Sequence, residues 1–204
     1  MVKKEDVLRD IFKAKKGDRI KTSEDSLKNI DEIKKVYKDL TGTLTKIPLR
    51  ISNFSIKIDS KTFIELDDQL HFNRYRLQTL KSEIYQNCKL FNVEEHKRLC
   101  EEHEPTCLRI AGDTDRWKTN NSEKAFLKSG PEKKLEGNGS SRWKQKAFFD
   151  FIKDVYAIEN EINLKRVSVW ETVKGNITIK QILDEEIKEH YENLKKHILR
   201  KFEV

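Results

Sequence analysis

Apolar residues recur along this chain in two different periods. Val7, Leu8, Ile11 and Phe12 fall at helical spacing inside an otherwise charged N-terminal stretch. Ser23 precedes a second set, Leu27, Ile30, Ile33, Val36, Tyr37 and Leu40, which predicts a capped amphipathic helix ended by Thr41, Gly42 and Thr43. The period then shortens to two. Residues 48–58 read as a strand, Asp59 and Ser60 as a turn, and residues 61–67 as the hairpin partner. Helical spacing returns over 74–88 through Leu77, Leu80, Ile84 and Cys88. It returns again over 143–155 through Trp143, Ala147, Phe148, Phe151, Ile152 and Val155. Residues 166–173 read as a strand, and residues 178–202 as one long charged helix with Ile182, Ile187, Tyr191, Leu194 and Ile198 inward. A hairpin with flanking helices predicts a mixed α/β domain.

The length, 204 residues, suits one domain over 1–204. Residues 1–22 read as a basic N-terminal extension. Residues 92–141, interrupted by Pro105 and Pro131 and rich in Asn, Gly and Ser near 120–122 and 137–141, read as a loop-rich insertion.

Charge narrows the choice of partner. A net charge of +7 and a pI near 9.1 favour a polyanion, because neutralised phosphates release condensed counterions. The same charge would also suit an acidic protein partner. Cys88, Cys100 and Cys107 make an odd count, and Met1, Val2, Lys3, Lys4 and Glu5 lack a signal peptide's apolar stretch. Free thiols in a reducing cytoplasm are expected. No apolar run approaches the ~18 residues of a membrane span. The last helix leaves a homodimer open.

The candidate chemistry lies in the run FIELDDQLHF at 63–72. Side chains alternate along a strand, so Phe63, Glu65 and Asp67 share one face, and Ile64 and Leu66 pack on the other. Glu65 and Asp67 are expected to project together on a solvent-reaching face, with His71 within one turn. Paired carboxylates suit Mg²⁺ or Mn²⁺, and such a cation can polarise a phosphodiester. His71 would orient or deprotonate the attacking water. Arg74 and Arg76 open the next helix. Arg142, Lys144 and Lys146 fill the first turn of the helix after the Gly137 to Ser141 run, where backbone N–H groups and cations together suit a phosphate. These five are the candidate DNA-binding residues.

Two other constellations carry less. His96, Cys100, His103 and Cys107 are zinc-type residues at i, i+4, i+7 and i+11, a stripe too long for one tetrahedral ion unless Pro105 bends the chain back. Structural zinc is therefore not expected. Asp113 and Asp115 could lend acids from a loop, but a turn with Trp117 packed inward fits the pattern better.

The run at 63–71 resembles the signature of the short-patch-repair-like branch of the PD-(D/E)XK nuclease superfamily: two hydrophobic residues, Glu, a hydrophobic residue, Asp, Gly, two variable positions, His. The resemblance implies a restriction-endonuclease-like fold, in which a mixed sheet carries a metal-carboxylate hairpin between helices, and Mg²⁺-dependent DNA hydrolysis. It would make Glu65 a metal carboxylate, place Asp67 where the wider superfamily has lysine, and make His71 the branch histidine. Asp68 departs from the expected glycine. Asn53, before Phe54, departs from the expected first metal aspartate, leaving Glu65, Asp67 and Asn53 as the ligand set. A two-residue turn would put Phe54 opposite Glu65, and a three-residue turn Asn53. The leading expectation is a metal-dependent endonuclease acting on double-stranded DNA in restriction, repair or defence. The alternatives are a catalytically silent nucleic-acid-binding protein of that fold and an interaction or immunity-type protein.

Overall fold

The computed structural model describes residues 3–17, 22–49, 53–112 and 114–203. The chain clusters into two compact units. The first comprises residues 1–20, 53–68 and 160–204, and the second residues 21–52 and 69–159. Among the described residues, no helix is long and apolar enough to cross a membrane.

The first unit is a small mixed sheet with helices. Its strands run in the order β1 (Ile56–Lys57), β2 (Thr62–Asp67), β3 (Asn163–Ser168). β1 pairs antiparallel with β2, Ile56 facing Ile64 and Lys57 facing Phe63. β2 pairs parallel with β3, with Glu65 opposite Arg166 and Asp67 opposite Ser168. The parallel pairing needs a long crossover connection, and the whole 69–159 segment lies within it. As the central strand, β2 is covered on both faces. Ile64 and Leu66 are buried on one, Phe63, Glu65 and Asp67 on the other.

The hairpin differs in length and register from the sequence expectation. Of residues 48–58 only Ile56 and Lys57 form strand, while 50–52 lie outside the described residues. Ile58 N–H donates to Thr62 O, and the Asp59 carboxylate accepts from Lys61 N and Thr62 N, so the loop is Asp59, Ser60 and Lys61. This register sets Ser55, not Phe54 or Asn53, beside Glu65. An aspartate that hydrogen-bonds the backbone two and three residues on closes the longer loop.

The N-terminal segment is integral to this unit instead of an appendage. α1 (Lys4–Phe12) buries Val7 and Leu8 and packs on α8 (Ile179–Asp184) and α9 (Tyr191–Arg200). Lys15 bridges Lys57 at the sheet edge, and Gly17 N–H donates to Phe54 O at 3.1 Å, an approach that leaves little room for a Cβ. The expected strand over 166–173 starts earlier, at Asn163, and is followed by a hairpin of β4 (Thr172–Val173) and β5 (Ile177–Thr178). The expected long C-terminal helix is two. Thr178 and Gln181 cap α8 reciprocally, Glu186 takes φ 50°, and α9 begins at Tyr191.

The second unit is helical: α2 (Ile30–Asp39), α3 (Arg74–Thr79), α4 (Val93–Ile110), α5 (Thr114–Trp117), α6 (Asn120–Phe126) and α7 (Ser141–Glu159). α7 is its axis and packs on α2, α3, α5 and α6. Trp143, Ala147, Phe148, Phe151, Ile152 and Val155 are all buried, as their spacing predicts. The supposed loop-rich stretch is mostly helix. α4 alone spans 18 residues and continues through Pro105, so His96, Cys100, His103 and Cys107 stay strung along one rod. Helix α6 stops at Phe126, where Leu127 adopts φ 64° and ψ 162°. That conformation is essentially reserved for glycine and costs a leucine roughly 1–3 kcal/mol.

Candidate functional site

In the first unit the candidate acids lie as the strand pattern predicts, side by side on one face of β2. They do not reach solvent, as was expected. Glu65 is 5% exposed and Asp67 fully buried. The carboxylate of Glu65 accepts Ser55 N–H at 2.9 Å, and Ser55 Oγ accepts Leu66 N–H at 3.3 Å, so the pair repairs the ladder where β1 has already ended. Asp67 Oδ1 lies 2.5 Å from Arg166 Nη1 on the neighbouring strand, and both side chains are essentially inaccessible. Arg166 was not foreseen as part of the site. Its signal was an arginine set among apolar residues in the strand segment LKRVSV, where a buried Arg requires an acid. Asn53 Nδ2 donates to Gly17 O at 2.5 Å, which fixes its amide in the sheet-edge segment.

The second unit holds His71, the last residue of a 3-10 turn over Gln69–His71. It is buried, and Nε2 lies 3.6 Å from Asp150 Oδ2 on α7. That distance is an ion-pair contact, longer than a hydrogen bond. The turn is held from both sides. Cys107 Sγ lies 2.8 Å from Gln69 O and 2.7 Å from Phe72 O, its single S–H donating to one of them. Asn73 caps α3 by accepting from Tyr75 N and Arg76 N, and its amide donates back to Leu70 O. Phe72 stacks on His96 at 4.9 Å. Cys107 and His96 thus act in packing this turn. Asp150 and Asp154 were legible only as acids inside the apolar stripe of α7, a position acids rarely take unpaired.

The five candidate DNA-binding residues have different fates. Arg76 is 1% exposed, so it is withdrawn from any phosphate track. Its Nη2 meets Asp154 Oδ2 at 2.7 Å, Tyr85 OH donates to the same oxygen at 2.7 Å, and its guanidinium lies 5.7 Å from the Tyr85 and Phe91 ring centres. Lys144 is also withdrawn. It is 4% exposed, donates to Thr41 Oγ1 and Asn138 Oδ1, and lies 5.3 Å from the Tyr75 ring centre. Burial among these neutral groups lowers its pKa to about 8. Arg74 forks onto Glu104, with contacts of 2.9 and 2.7 Å, and this partner raises its pKa. Arg142 is exposed and reaches Gln145; Lys146 is half-buried.

The expected phosphate cradle at the start of α7 is also filled from within. Ser141 N–H donates to Ser129 Oγ at 3.0 Å, and Trp143 N–H to Ser140 Oγ at 3.1 Å. Side-chain hydroxyls satisfy these helix-start donors, which an anion would otherwise use. Trp117 is fully buried, its indole donating to Gly130 O at 3.0 Å, as the turn pattern suggests. Asp113 lies outside the described residues, and Asp115 is exposed.

One family profile, described as "Family of unknown function (DUF7255)", matches residues 35–185. No curated protein and no solved structure matches the chain.

Proposed function

The chain belongs to this DUF7255 family, and we propose that it is a divalent-metal-dependent endonuclease of restriction-endonuclease-like fold, acting on double-stranded DNA. The observation that carries this reading is a central strand with two buried carboxylates on one face, Glu65 and Asp67, followed four positions later by a histidine that faces an aspartate. Buried acids are costly to ionise unless cations or donors compensate them. Hard carboxylate oxygens suit Mg²⁺ or Mn²⁺.

When bound, the cation supplies Lewis-acid polarisation of the phosphodiester. Glu65 and Asp67 would hold it, and Ser55 N–H and Arg166 fix the orientation of the two carboxylates. Metal affinity is expected to be weak, since Arg166 already compensates Asp67.

A second reading, a silent nucleic-acid-binding protein of the same fold, is favoured by the same Arg166 contact and by Asn53 donating to Gly17 O. Plasmid and single-stranded DNA incubated with Mg²⁺, Mn²⁺ or EDTA separate the two. The nuclease reading expects cleavage that EDTA stops and that Glu65→Gln abolishes while DNA binding persists. Absence of cleavage, with no heat of Mg²⁺ or Mn²⁺ uptake in calorimetry, selects the silent binder.

A further inference from the structure

Leu127 combines two features that rarely meet. Its backbone, at φ 64° and ψ 162°, occupies a region essentially open only to glycine, and the residue is 49% exposed. By contrast, Lys13 at the end of α1 takes φ 51° and ψ 39°, the ordinary left-handed helix cap. A leucine contributes least to a core when half exposed, and a glycine would relax the backbone. Neither packing nor chain geometry therefore accounts for leucine at this position.

The surroundings hold Leu127 in place. The Asn138 amide donates to the carbonyls on either side of it, Phe126 O at 2.9 Å and Lys128 O at 3.0 Å. The Thr41 hydroxyl lies 3.2 Å from Phe126 O and 3.1 Å from Asn138 Oδ1, and donates to one of them. Beneath both stands the buried Lys144 ammonium, donating to Thr41 and Asn138. A buried cation with neutral partners, whose pKa has fallen to about 8, thus supports a clamp on one strained and exposed residue.

The flanks indicate the partner's chemistry. Lys124 and Lys128 are exposed on either side, while Glu123, the nearest acid in sequence, turns its carboxylate onto Ser129 N–H at 2.9 Å. An exposed apolar residue flanked in sequence by two exposed lysines suits a base step between phosphates, the arrangement by which apolar wedges enter nucleic acid. We propose that Leu127 is a wedge that contacts the bases of double-stranded DNA while Lys124 and Lys128 sit on the flanking phosphates. The proposal rests on the DNA-binding part of the function above and is independent of cleavage.

The test uses the full chain in EDTA, so that hydrolysis plays no part, with duplexes carrying 2-aminopurine at successive positions. Wild-type protein should raise 2-aminopurine fluorescence at one or two positions, reporting unstacking. Leu127→Gly should lose that rise and bind about tenfold more weakly or worse, with an unchanged salt slope, yet melt at the same or a higher temperature. Lys124→Ala with Lys128→Ala should lower the salt slope by about two. Wild-type affinity in Leu127→Gly, no fluorescence rise on any duplex, no duplex binding at all, or a lower melting temperature for Leu127→Gly would each overturn the wedge. An acidic protein partner would then be the reading left for this surface. Loss of cleavage in the Mg²⁺ assay, with these results intact, would overturn the nuclease reading alone.

Discussion

Two buried salt bridges, one in each unit, look alike by distance and differ in what surrounds them. In the helical unit, Asp154 receives Arg76 and Tyr85 on one oxygen at 2.7 Å each, and two aromatic rings flank the guanidinium. In the sheet unit, Asp67 receives Arg166 at 2.5 Å, with a second buried carboxylate, Glu65, on the same strand face. The first arrangement adds a hydroxyl and ring faces to the ion pair, which spread its charge. The second sets an ion pair beside a further buried carboxylate on the same strand face, and that carboxylate accepts Ser55 N–H. Under the proposed function the two carboxylates would also hold a cation, a use that the helical pair does not offer.

The largest effect should come from breaking the helical bridge. Arg76→Met takes the guanidinium away from buried Asp154 and should cost about 3–5 kcal/mol in chemical denaturation, whatever divalent cation is present. Arg166→Met should cost a similar amount without metal, but here Mg²⁺ should restore stability. Saturation at 100 times the dissociation constant would return about 2.7 kcal/mol, read as a melting temperature that rises with Mg²⁺ concentration. If Mg²⁺ rescues neither variant, the sheet bridge is structural like its counterpart.

Smaller effects sharpen the contrast. Glu65→Gln keeps an oxygen for Ser55 N–H, so its stability should change by no more than about 1 kcal/mol, while its Mg²⁺-dependent shift in melting temperature disappears. Lys144 is a third buried cation, held by Thr41, Asn138 and the Tyr75 ring and not by a carboxylate. Its effect should have the opposite sign, and Lys144→Met should raise the melting temperature at pH 7. Because the folded-state pKa falls from 10.5 to about 8, the unfolded chain binds more protons between those values. Wild-type stability should therefore rise with pH from about 8 to 10.5, and Lys144→Met should flatten that rise. Urea melts across this range read the slope directly.

Local period and local propensity made part of this molecule legible. The alternation in 62–67 places Glu65 and Asp67 on one strand face before any partner strand is known, and the stripe on α7 identifies its buried residues. The Thr178 to Gln181 box marks the start of α8. Boundaries set by other elements were not legible. The break at Glu186 and the persistence of α4 through Pro105 depend on packing, which can outweigh a weak helix signal or a local penalty.

What the sequence determined by itself is therefore periodicity: which residues share a face, where helices begin, and that acids, a histidine and cations cluster near 63–76. Tertiary structure decided the pairing. Whether an arginine faces solvent or an aspartate dozens of residues away depends on which helix or strand lies opposite, and no local spacing encodes that. Arg76 and Lys144 looked like phosphate ligands because charge alone suggested exposure, yet long-range partners drew them inside. Leu127 looked unremarkable because a leucine after a helix violates no pattern. Only its backbone angles, imposed by Asn138 and Thr41 from distant parts of the chain, set it apart.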